Sequence, residues 1–249
     1  MPKDEDTAAS ATAKVPPVSR YPHSERGDTT TAIQDYIKAI FKLQDGSAGV
    51  TNTAIAEKLG YTPASVTGML KKLARAELVT HHPYQGVVLT EKGRRLALEM
   101  IRHHRLIELY LMRALGYSWD EVDAEAERLE HVISEEMEDR MAAFLQEPTE
   151  DPHGDPIPTR DGVMSTIRYA PLATMQPGQF VRIRRVKDSD PSLLRYLGQL
   201  GLFPHVVLEV VDRAPFDGPL TIRISSAQHA LGPQVANSVF VEPVREGAS

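Results

Sequence analysis

The chain has 249 residues, a formal net charge of −6 and no cysteine. Its length exceeds the usual size of one domain, so two or more domains are expected. The lack of cysteine excludes disulfides, iron–sulfur clusters and thiolate zinc sites, which leaves oxygen, nitrogen and thioether ligands for any metal ion. The sequence contains neither a long apolar run nor a start that resembles a signal peptide, which favours a cytoplasmic protein without a membrane span.

The charges along the chain are unevenly distributed. Residues 1–28 are rich in Ala, Thr, Ser and Pro without an apolar period, and they predict a disordered tail. Apolar residues then recur at helical spacing over 31–44, which predicts a helix that leaves Asp35 and Lys38 off its apolar stripe. Basic residues outnumber acidic ones over 29–102, whereas acidic residues dominate 103–150. A basic surface next to an acidic one is therefore expected.

Two short helices and a hairpin are predicted after the first helix. The stretch "NTAIAEKLG" predicts a helix from Asn52 to a stop at Gly60, and "YTPASVTGMLKKLARAEL" predicts another that is capped by Thr62 and starts at Pro63. In "LVTHHPYQGVVLT", apolar pairs flank a Pro/Gly turn, which predicts a β-hairpin. This order of elements predicts a winged helix-turn-helix over 29–95.

The second short helix is the candidate recognition helix. A helical wheel places Val66, Leu70 and Leu73 on its inner side. Its outer side is small near the N-terminus and basic near the C-terminus, which suits close approach to a DNA groove and contact with phosphates. The candidate DNA-binding residues on and beside that face are Thr62, Ala64, Ser65, Thr67, Gly68, Lys71, Lys72 and Arg75. The alternative is a winged helix that packs against another protein.

Two longer amphipathic helices are predicted next, in a stretch without proline. The first covers about 91–115, between a Thr90 cap and Gly116. The second begins with a capping box at Ser118 and Glu121 and continues as one helix to Pro148. Together they predict a helical domain over 96–147.

The stretch "EAERLEHVISEE" on the second long helix raises the question of a metal site. Glu127, Glu130 and His131 project from one broad side, next to the apolar stripe. On the preceding helix, His104 lies on the apolar row and Glu108 follows one turn later. Carboxylates crowded beside imidazoles raise one another's pKa unless a cation neutralises them. A divalent ion with oxygen and nitrogen ligands is therefore the simplest explanation.

Simpler explanations apply to parts of this pattern. A histidine on an apolar row is usually a satisfied core residue, and the four acids within 135–139 are expected to form a solvated face. Enzyme motifs find no support, because the only Glu-x-x-His match, Glu150 with His153, falls in a proline-rich stretch and no His-Glu-x-x-His motif occurs. The protein is therefore not expected to be an enzyme.

The C-terminal part of the chain has a β pattern. Residues 148–172 have the proline density of a linker. Over 173–249, β-branched residues alternate or cluster in "QFVRIRRV", "VVLEVVDR", "LTIRISS" and "SVFVEPV", and one short helix is predicted near 191–199. A small β-barrel is expected there. The fold class is thus mainly α with a β C-terminal domain.

Five stretches resemble the diphtheria toxin repressor family, and especially its manganese transport regulator branch. They are "TTTAIQDYIKAIFKL", "VVLTEKGRRLA", "RHHRLIELYL", "ERLEHVISEEMEDRM" and "GDPIP", within about 29–160. The resemblance implies a homodimeric winged-helix repressor with a helical dimerisation domain and an SH3-like β-barrel. It further implies that a bound metal orders the protein for binding to palindromic operator DNA, with metal-uptake genes as targets and no small organic substrate.

The resemblance also implies metal ligands. Carried over position by position, the main site falls on Asp35, His104, Glu127, Glu130 and His131. Glu108 and Asp123 are candidates for a second, ancillary ion. Asp190 is the nearest match to a ligand that the barrel contributes in similar proteins.

Differences from the resembled family bear on the choice of metal. Iron-responsive members have Met at the position of Asp35 and Cys at that of Glu127. Because carboxylates in place of sulfur favour Mn²⁺ by ligand type, Mn²⁺ is the expected cofactor and Fe²⁺ the alternative. Similar manganese regulators carry an acid where this chain has Lys38, which argues against a tightly coupled pair of ions. Gly68 stands where related repressors have Gln, so base readout there would differ.

Two other functions stay open on the sequence alone. One is a winged-helix regulator that senses an organic ligand or a partner protein, with the acidic helix as a dimer face. The other is a metal-buffering protein, which would show no salt-dependent affinity for DNA.

Overall fold

The computed structural model of the chain describes residues 30–44, 49–82 and 86–244. The predicted tail over 1–28 and the tip of the predicted hairpin lie outside these residues. Within the described ranges, no helix has both the length and the apolar character needed to cross a bilayer.

The N-terminal third forms the predicted winged helix-turn-helix. Its helices are α1 (Thr31–Leu43), α2 (Asn52–Leu59) and α3 (Pro63–Arg75), followed by the antiparallel strands β1 (Val79–His82) and β2 (Gly86–Leu89). Helix α2 ends at Gly60, which adopts the left-handed conformation at φ 69°. The Thr62 side chain then accepts a hydrogen bond from the Ser65 N–H and caps α3. Fully buried side chains of all three helices, including Ile37, Ile55 and Leu73, form one core.

Helix α4 (Glu91–Leu115) connects the winged domain to the rest of the chain. Thr90 caps its N-terminus, and Gly116 ends it at φ 73° in the left-handed conformation. At its start, Gly93 packs so closely on the wing that a Cβ there would meet the Leu78 carbonyl oxygen at 2.0 Å. The bounds predicted for this helix are confirmed.

The prediction of one helix from Ser118 to Pro148 is wrong. The structure has two shorter helices, α5 (Val122–Leu129) and α6 (Glu135–Phe144). The Ser134 side chain accepts a hydrogen bond from the Met137 N–H and starts α6 anew. Ile133 lies at the break and is buried. The apolar period of the sequence therefore continues through the break and conceals it. Glu130 and His131 therefore lie in the turn between two helices.

The proline-rich stretch after α6 is buried over much of its first part and differs from a solvated linker. The carboxylate of Asp151 accepts hydrogen bonds from the backbone N–H groups of His153 and Asp155, at 2.8 and 3.0 Å. Arg102 and Arg105 of α4 donate to the carbonyls of Pro158 and Pro156. Residues 151–155 are all buried as a result.

The C-terminal domain is a six-stranded antiparallel sheet in the order β3-β8-β4-β5-β6-β7. Its strands are β3 (Ala170–Pro171), β4 (Phe180–Val186), β5 (Val207–Arg213), β6 (Leu220–Ile224), β7 (Ala227–Leu231) and β8 (Val239–Val244). A 3-10 turn (Leu172–Thr174) and the helices α7 (Pro191–Gln199) and α8 (Pro233–Ala236) complete it. The four predicted strands are present as β4, β5, β6 and β8, and the predicted helix is present as α7. The two-residue strand β3 and the strand β7 were not predicted; the β7 sequence "AQHAL" lacks β-branched residues.

Candidate metal centre

The first group of ligands joins α1 to the turn after α5. His131 Nε2 lies 3.0 Å from Oδ1 of Asp35. The His131 Nδ1–H donates to Oε1 of Gln34 at 2.8 Å, so in the neutral form of the ring Nε2 carries the lone pair. Asp35 Oδ1 is buried and accepts no hydrogen bond from the described part of the chain. Two acceptor atoms therefore face each other, an arrangement that a cation between them would stabilise.

The electrostatics of Asp35 agree with this geometry. Burial is the largest cause and raises the pKa of Asp35. His131 opposes this rise, whereas the carboxylates of Glu127 and Glu130 add to it. An additional positive charge in the group would therefore favour the ionised carboxylate.

His104 on α4 connects this group to further carboxylates. Its Nδ1 lies 2.5 Å from Oε2 of Glu130 and 3.7 Å from Oε2 of Glu127. Its Nε2 lies 3.3 Å from Asp123 and 3.5 Å from Glu108. Burial alone would lower the pKa of His104, but the nearby carboxylates of Asp123, Glu108 and Glu130 raise it well above the usual value. The carboxylates thus favour the charged form of His104, and this imidazole would have to lose a proton to bind a metal ion.

Lys38 supplies a second balancing charge. Its ammonium group lies 2.7 Å from Oε2 of Glu127 and 2.5 Å from Oε1 of Glu130. Burial works against the charged form, yet both glutamates outweigh it and raise the pKa of Lys38. Although Lys38 was predicted to lie off the apolar stripe of α1, its side chain is only 7% exposed, because that face of α1 packs on the acidic turn after α5.

A second group of ligands lies where α4 meets the 149–158 segment, and it was not predicted. Glu108, Asp151 and His153 are all buried and bring one ligand atom each close together. The His153 Nε2–H donates to the carbonyl of Trp119 at 2.7 Å, so in the neutral form of the ring Nδ1 carries a lone pair, 3.8 Å from Oε1 of Glu108. Neither of these two atoms has a hydrogen-bond partner among the described residues.

The charges of the second group also fit a divalent ion. Burial raises the pKa of Asp151 to about 7, and the carboxylates of Glu108 and Asp155 contribute to the rise, whereas Arg105, 3.4 Å from Asp151, and His153 oppose it. Burial opposes the charge on His153, while Asp151 and Glu108 raise its pKa. Orphaned acceptors and crowded carboxylates are the two features that a bound cation removes.

A small cavity adjoins both groups of ligands. Its volume is ≈ 10 Å³, which is room for a single water-sized occupant. The lining residues are Lys38, Lys42, Ile101, His104, Arg105, Glu108, Asp151 and Asp188. Asp188 is the carboxylate that the C-terminal domain contributes to this cavity. Asp190 lies outside the ligand groups formed by the described residues; it is exposed and caps α7 by accepting from the Ser192 N–H at 2.8 Å.

One acid expected on a solvated face is instead buried. Glu138 is 4% exposed, and its carboxylate accepts from Arg102 Nε at 2.5 Å and lies 2.9 Å from His103 Nε2. The prediction for Glu138 is therefore wrong, because α6 begins after the break and turns this position towards α4. Glu136 is exposed as predicted and pairs with Arg140.

The face of α3 that was predicted to contact DNA is exposed. All eight candidate residues from Thr62 to Arg75 are exposed, whereas Val66, Leu70 and Leu73 are buried. The Thr67 hydroxyl donates to the Pro63 carbonyl at 2.9 Å and accepts from the side-chain amide of Asn52 at 3.0 Å. The hydrogen bond between Asn52 and Thr67 joins α2 to α3, the two helices of the helix-turn-helix.

An exposed basic recognition helix, joined to helices that gather buried carboxylates and imidazoles, defines a metal-dependent DNA-binding regulator. Three family models match the chain. They are the iron dependent repressor N-terminal DNA-binding domain over 28–87, the iron dependent repressor metal-binding and dimerisation domain over 90–159, and the FeoA domain over 170–243.

The chain belongs to the iron-dependent repressor family. The iron-dependent repressor IdeR of Mycobacterium tuberculosis is 32% identical over 235 residues, covering 89% of this chain and 100% of that protein. The diphtheria toxin repressor of Corynebacterium jeikeium is 31% identical over 168 residues, covering 66% of this chain and 70% of that protein.

Solved structures of manganese regulators share the fold. A manganese-dependent transcriptional repressor in complex with manganese is 38% identical, with a TM-score of 0.76, and covers 85% of this chain and 99% of its own. The manganese regulator SloR is 34% identical, with a TM-score of 0.66, and covers 85% of this chain and 98% of its own.

These similarities confirm the expected fold class and general function. The chain is a metal-dependent DNA-binding transcriptional repressor with a dimerisation domain and an SH3-like C-terminal domain, and it is not an enzyme. A divalent metal ion, DNA and a second copy of the chain are therefore its partners.

Proposed function

We propose that this protein is a Mn²⁺-activated repressor that acts in the cytoplasm on palindromic operators of metal-uptake genes, as a homodimer. The observation that carries the proposal is the pair of facing acceptor atoms on Asp35 and His131, 3.0 Å apart. Asp35 belongs to the DNA-binding domain and His131 to the helical domain. A metal ion bound by both residues would connect the helical domain to the DNA-binding domain.

The ligand types favour Mn²⁺, with Fe²⁺ as the second candidate. Asp35, Glu127 and Glu130 offer carboxylate oxygens, and His131 and His104 offer imidazole nitrogens. Sulfur donors, which suit softer ions, have no place in this set. Relatives with names that specify iron and structures with names that specify manganese both occur, so the assignment to Mn²⁺ rests on the donor atoms.

The route from ligand to DNA passes through α1. A divalent ion held by Asp35, Glu127, Glu130 and His131 would supply the charge that holds these carboxylates together. Asp35 would then fix the position of α1 against the turn after α5. Because Ile37 of α1 shares its core with Ile55 of α2 and Leu73 of α3, fixing α1 orients the recognition helix. In a dimer this sets the distance between two recognition helices.

We also propose that Glu108, Asp151 and His153 hold a second ion, with Asp188 as a ligand from the C-terminal domain. The orphaned atoms Glu108 Oε1 and His153 Nδ1 support this. Bound there, an ion would tie the barrel to α4, because each of these elements supplies a ligand. Asp190 instead caps the start of α7, where it accepts a hydrogen bond from the Ser192 N–H.

Exposed apolar side chains on the helical domain support the homodimer. Val132, Met137 and Phe144 are 74%, 46% and 61% exposed. They lie on α6 or just before it, close in sequence to the metal ligands. A second copy of the chain would bury them.

A direct test combines a ligand variant with a matched control. Glu127→Ala and His131→Ala should abolish the increase in DNA affinity that Mn²⁺ produces and should lower the number of Mn²⁺ ions bound at equilibrium dialysis. Glu136→Ala removes an exposed acid of α6 that pairs only locally with Arg140 and should behave as the wild type. Normal Mn²⁺ responses in both ligand variants would refute the proposed site.

A further inference from the structure

A lysine lies among Asp35, Glu127 and Glu130, the carboxylates of the proposed metal site, which together are called the sensor cluster below. The ammonium group of Lys38 contacts Glu127 and Glu130 at 2.7 and 2.5 Å. The Lys38 side chain is 7% exposed and that of Glu130 is fully buried. Water screens the charges of Lys38 and Glu130 little, so each of them needs the other as a partner in the protein interior.

We infer that Lys38 is a tethered cation that takes the place of a second metal ion and limits the sensor cluster around Asp35, Glu127 and Glu130 to a single divalent ion. The inference rests on the proposed function and adds the number of ions and the residue that sets it.

The balance of charges supports a single ion. Asp35, Glu127 and Glu130 carry three negative charges when ionised, and Lys38 carries one positive charge. The remaining two negative charges match one divalent ion. A second divalent ion would leave an excess of positive charge beside the buried groups Lys38 and Glu130, which is unfavourable.

The other charged groups near the cluster do not replace Lys38. The carboxylates of Glu108 and Asp123 lie beside His104 Nε2, on the far side of that ring from Glu130. Lys42, one turn after Lys38 on α1, is exposed. Lys38 is therefore the lysine of α1 that is buried against the sensor carboxylates.

Position explains why Lys38 can compete with a metal ion. The same oxygen of Glu130, Oε1, lies 2.5 Å from the ammonium group and 3.6 Å from His131 Nε2. An ion that His131 and Glu130 share would therefore sit close to the ammonium charge. Removing that charge should strengthen binding of the first ion, and replacing it with a carboxylate should create a place for another.

The experiment counts and titrates Mn²⁺ in the full chain. Native mass spectrometry and equilibrium dialysis would compare the wild type with Lys38→Glu, Lys38→Gln and the control Lys58→Gln, which alters an exposed lysine of α2. We expect Lys38→Glu to bind one more Mn²⁺ per chain than the wild type. Lys38→Gln should bind as many ions as the wild type but hold the sensor ion about tenfold more tightly, because a repelling unit charge at close range is gone. Lys58→Gln should leave the ion count and the affinity close to those of the wild type.

Several outcomes would overturn the inference. One is an unchanged ion count in a folded Lys38→Glu variant. Another is equal or weaker binding in Lys38→Gln, which would mean that the ammonium group organises the carboxylates for the metal. Lys38→Gln alone decides the matter if Lys38→Glu does not fold. If Mn²⁺ activates the wild type and the Lys38 variants bind Mn²⁺ in the same number and with the same affinity as the wild type, only the inference about Lys38 fails. If the wild type binds no Mn²⁺ at the sensor cluster, the proposed function fails as well.

Discussion

The buried carboxylate of Glu138 should make the stability of this protein depend on acid pH in a way that one substitution removes. Burial alone would raise the pKa of Glu138, but hydrogen bonds and charge from His103 and Arg102 lower it from 4.5 to about 2. A carboxyl group with a lower pKa in the folded state stabilises that state above its unfolded pKa. This stabilisation is lost as the pH falls from about 4.5 towards 2.

The magnitude follows from the size of the shift. A shift from 4.5 to about 2 corresponds to roughly 3 kcal/mol at neutral pH, since one pKa unit is worth about 1.4 kcal/mol. In the variant Glu138→Gln this contribution is absent at every pH. The difference in unfolding free energy between wild type and variant should thus be roughly 3 kcal/mol larger at pH 6 than near pH 2.

Urea unfolding followed by circular dichroism would measure this difference in the presence of a chelator. The matched control is Glu136→Gln, which alters an exposed acid of the same helix and should change the pH dependence by well under 1 kcal/mol. Parallel curves for the wild type and Glu138→Gln across the acid range would refute the assignment of Glu138 as a buried, ionised partner of Arg102 and His103.

Three further predictions concern the recognition helix and the C-terminal domain. Gly68→Ala should raise the free energy of unfolding by up to about 1 kcal/mol, because an added Cβ meets no atom within 4 Å. The same variant should weaken DNA binding measured by fluorescence anisotropy. Unchanged DNA affinity would show that Gly68 is not part of the DNA interface. Lys71→Ala should reduce the slope of log affinity against log salt by about 1, whereas Lys187→Ala in the C-terminal domain should not, and equal slopes for both variants would contradict the assigned DNA face. Asp190→Ala should destabilise the protein by about 1 kcal/mol through loss of a helix cap without changing Mn²⁺ binding in dialysis. Asp188→Asn should weaken the binding of the second Mn²⁺ ion. The reverse result for these two variants would identify Asp190 as a metal ligand.

Local sequence signals predicted the parts of the fold that depend on local chemistry. Thr62 with Pro63 marked the start of α3, and Gly116 marked the end of α4, because capping and left-handed φ angles depend on a few neighbouring residues. The same holds for the inner face of α3, where helical spacing alone separated Val66 and Leu70 from the exposed side.

The errors arose where tertiary contacts decide the structure. Periodicity continued through Ile133 and concealed the cap at Ser134, so α5 and α6 were predicted as one helix, and Glu138 was assigned to the wrong face. Proline content suggested a linker where Arg102 and Arg105 bind backbone carbonyls and bury the chain.

The candidate site shows the same division. Glu127, Glu130 and His131 could be proposed as ligands from the sequence because they lie close together in it. His153 was noticed only as part of an enzyme motif without support, since nothing local shows that Glu108 of α4 lies beside it. The pattern Asp-x-His at 151–153, next to prolines that cannot continue a helix, is the one signal that could have raised the question.

The central claim, that Mn²⁺ activates DNA binding by joining Asp35 to the turn after α5, is tested most directly by DNA affinity with and without the metal. Duplexes selected from random sequence by the Mn²⁺-loaded protein would be titrated with the full chain in Mn²⁺ or in chelator, alongside His131→Ala. We predict tight, salt-dependent binding that requires Mn²⁺ in the wild type and no metal response in the variant. Equal affinity of the wild type with and without Mn²⁺ would contradict the account.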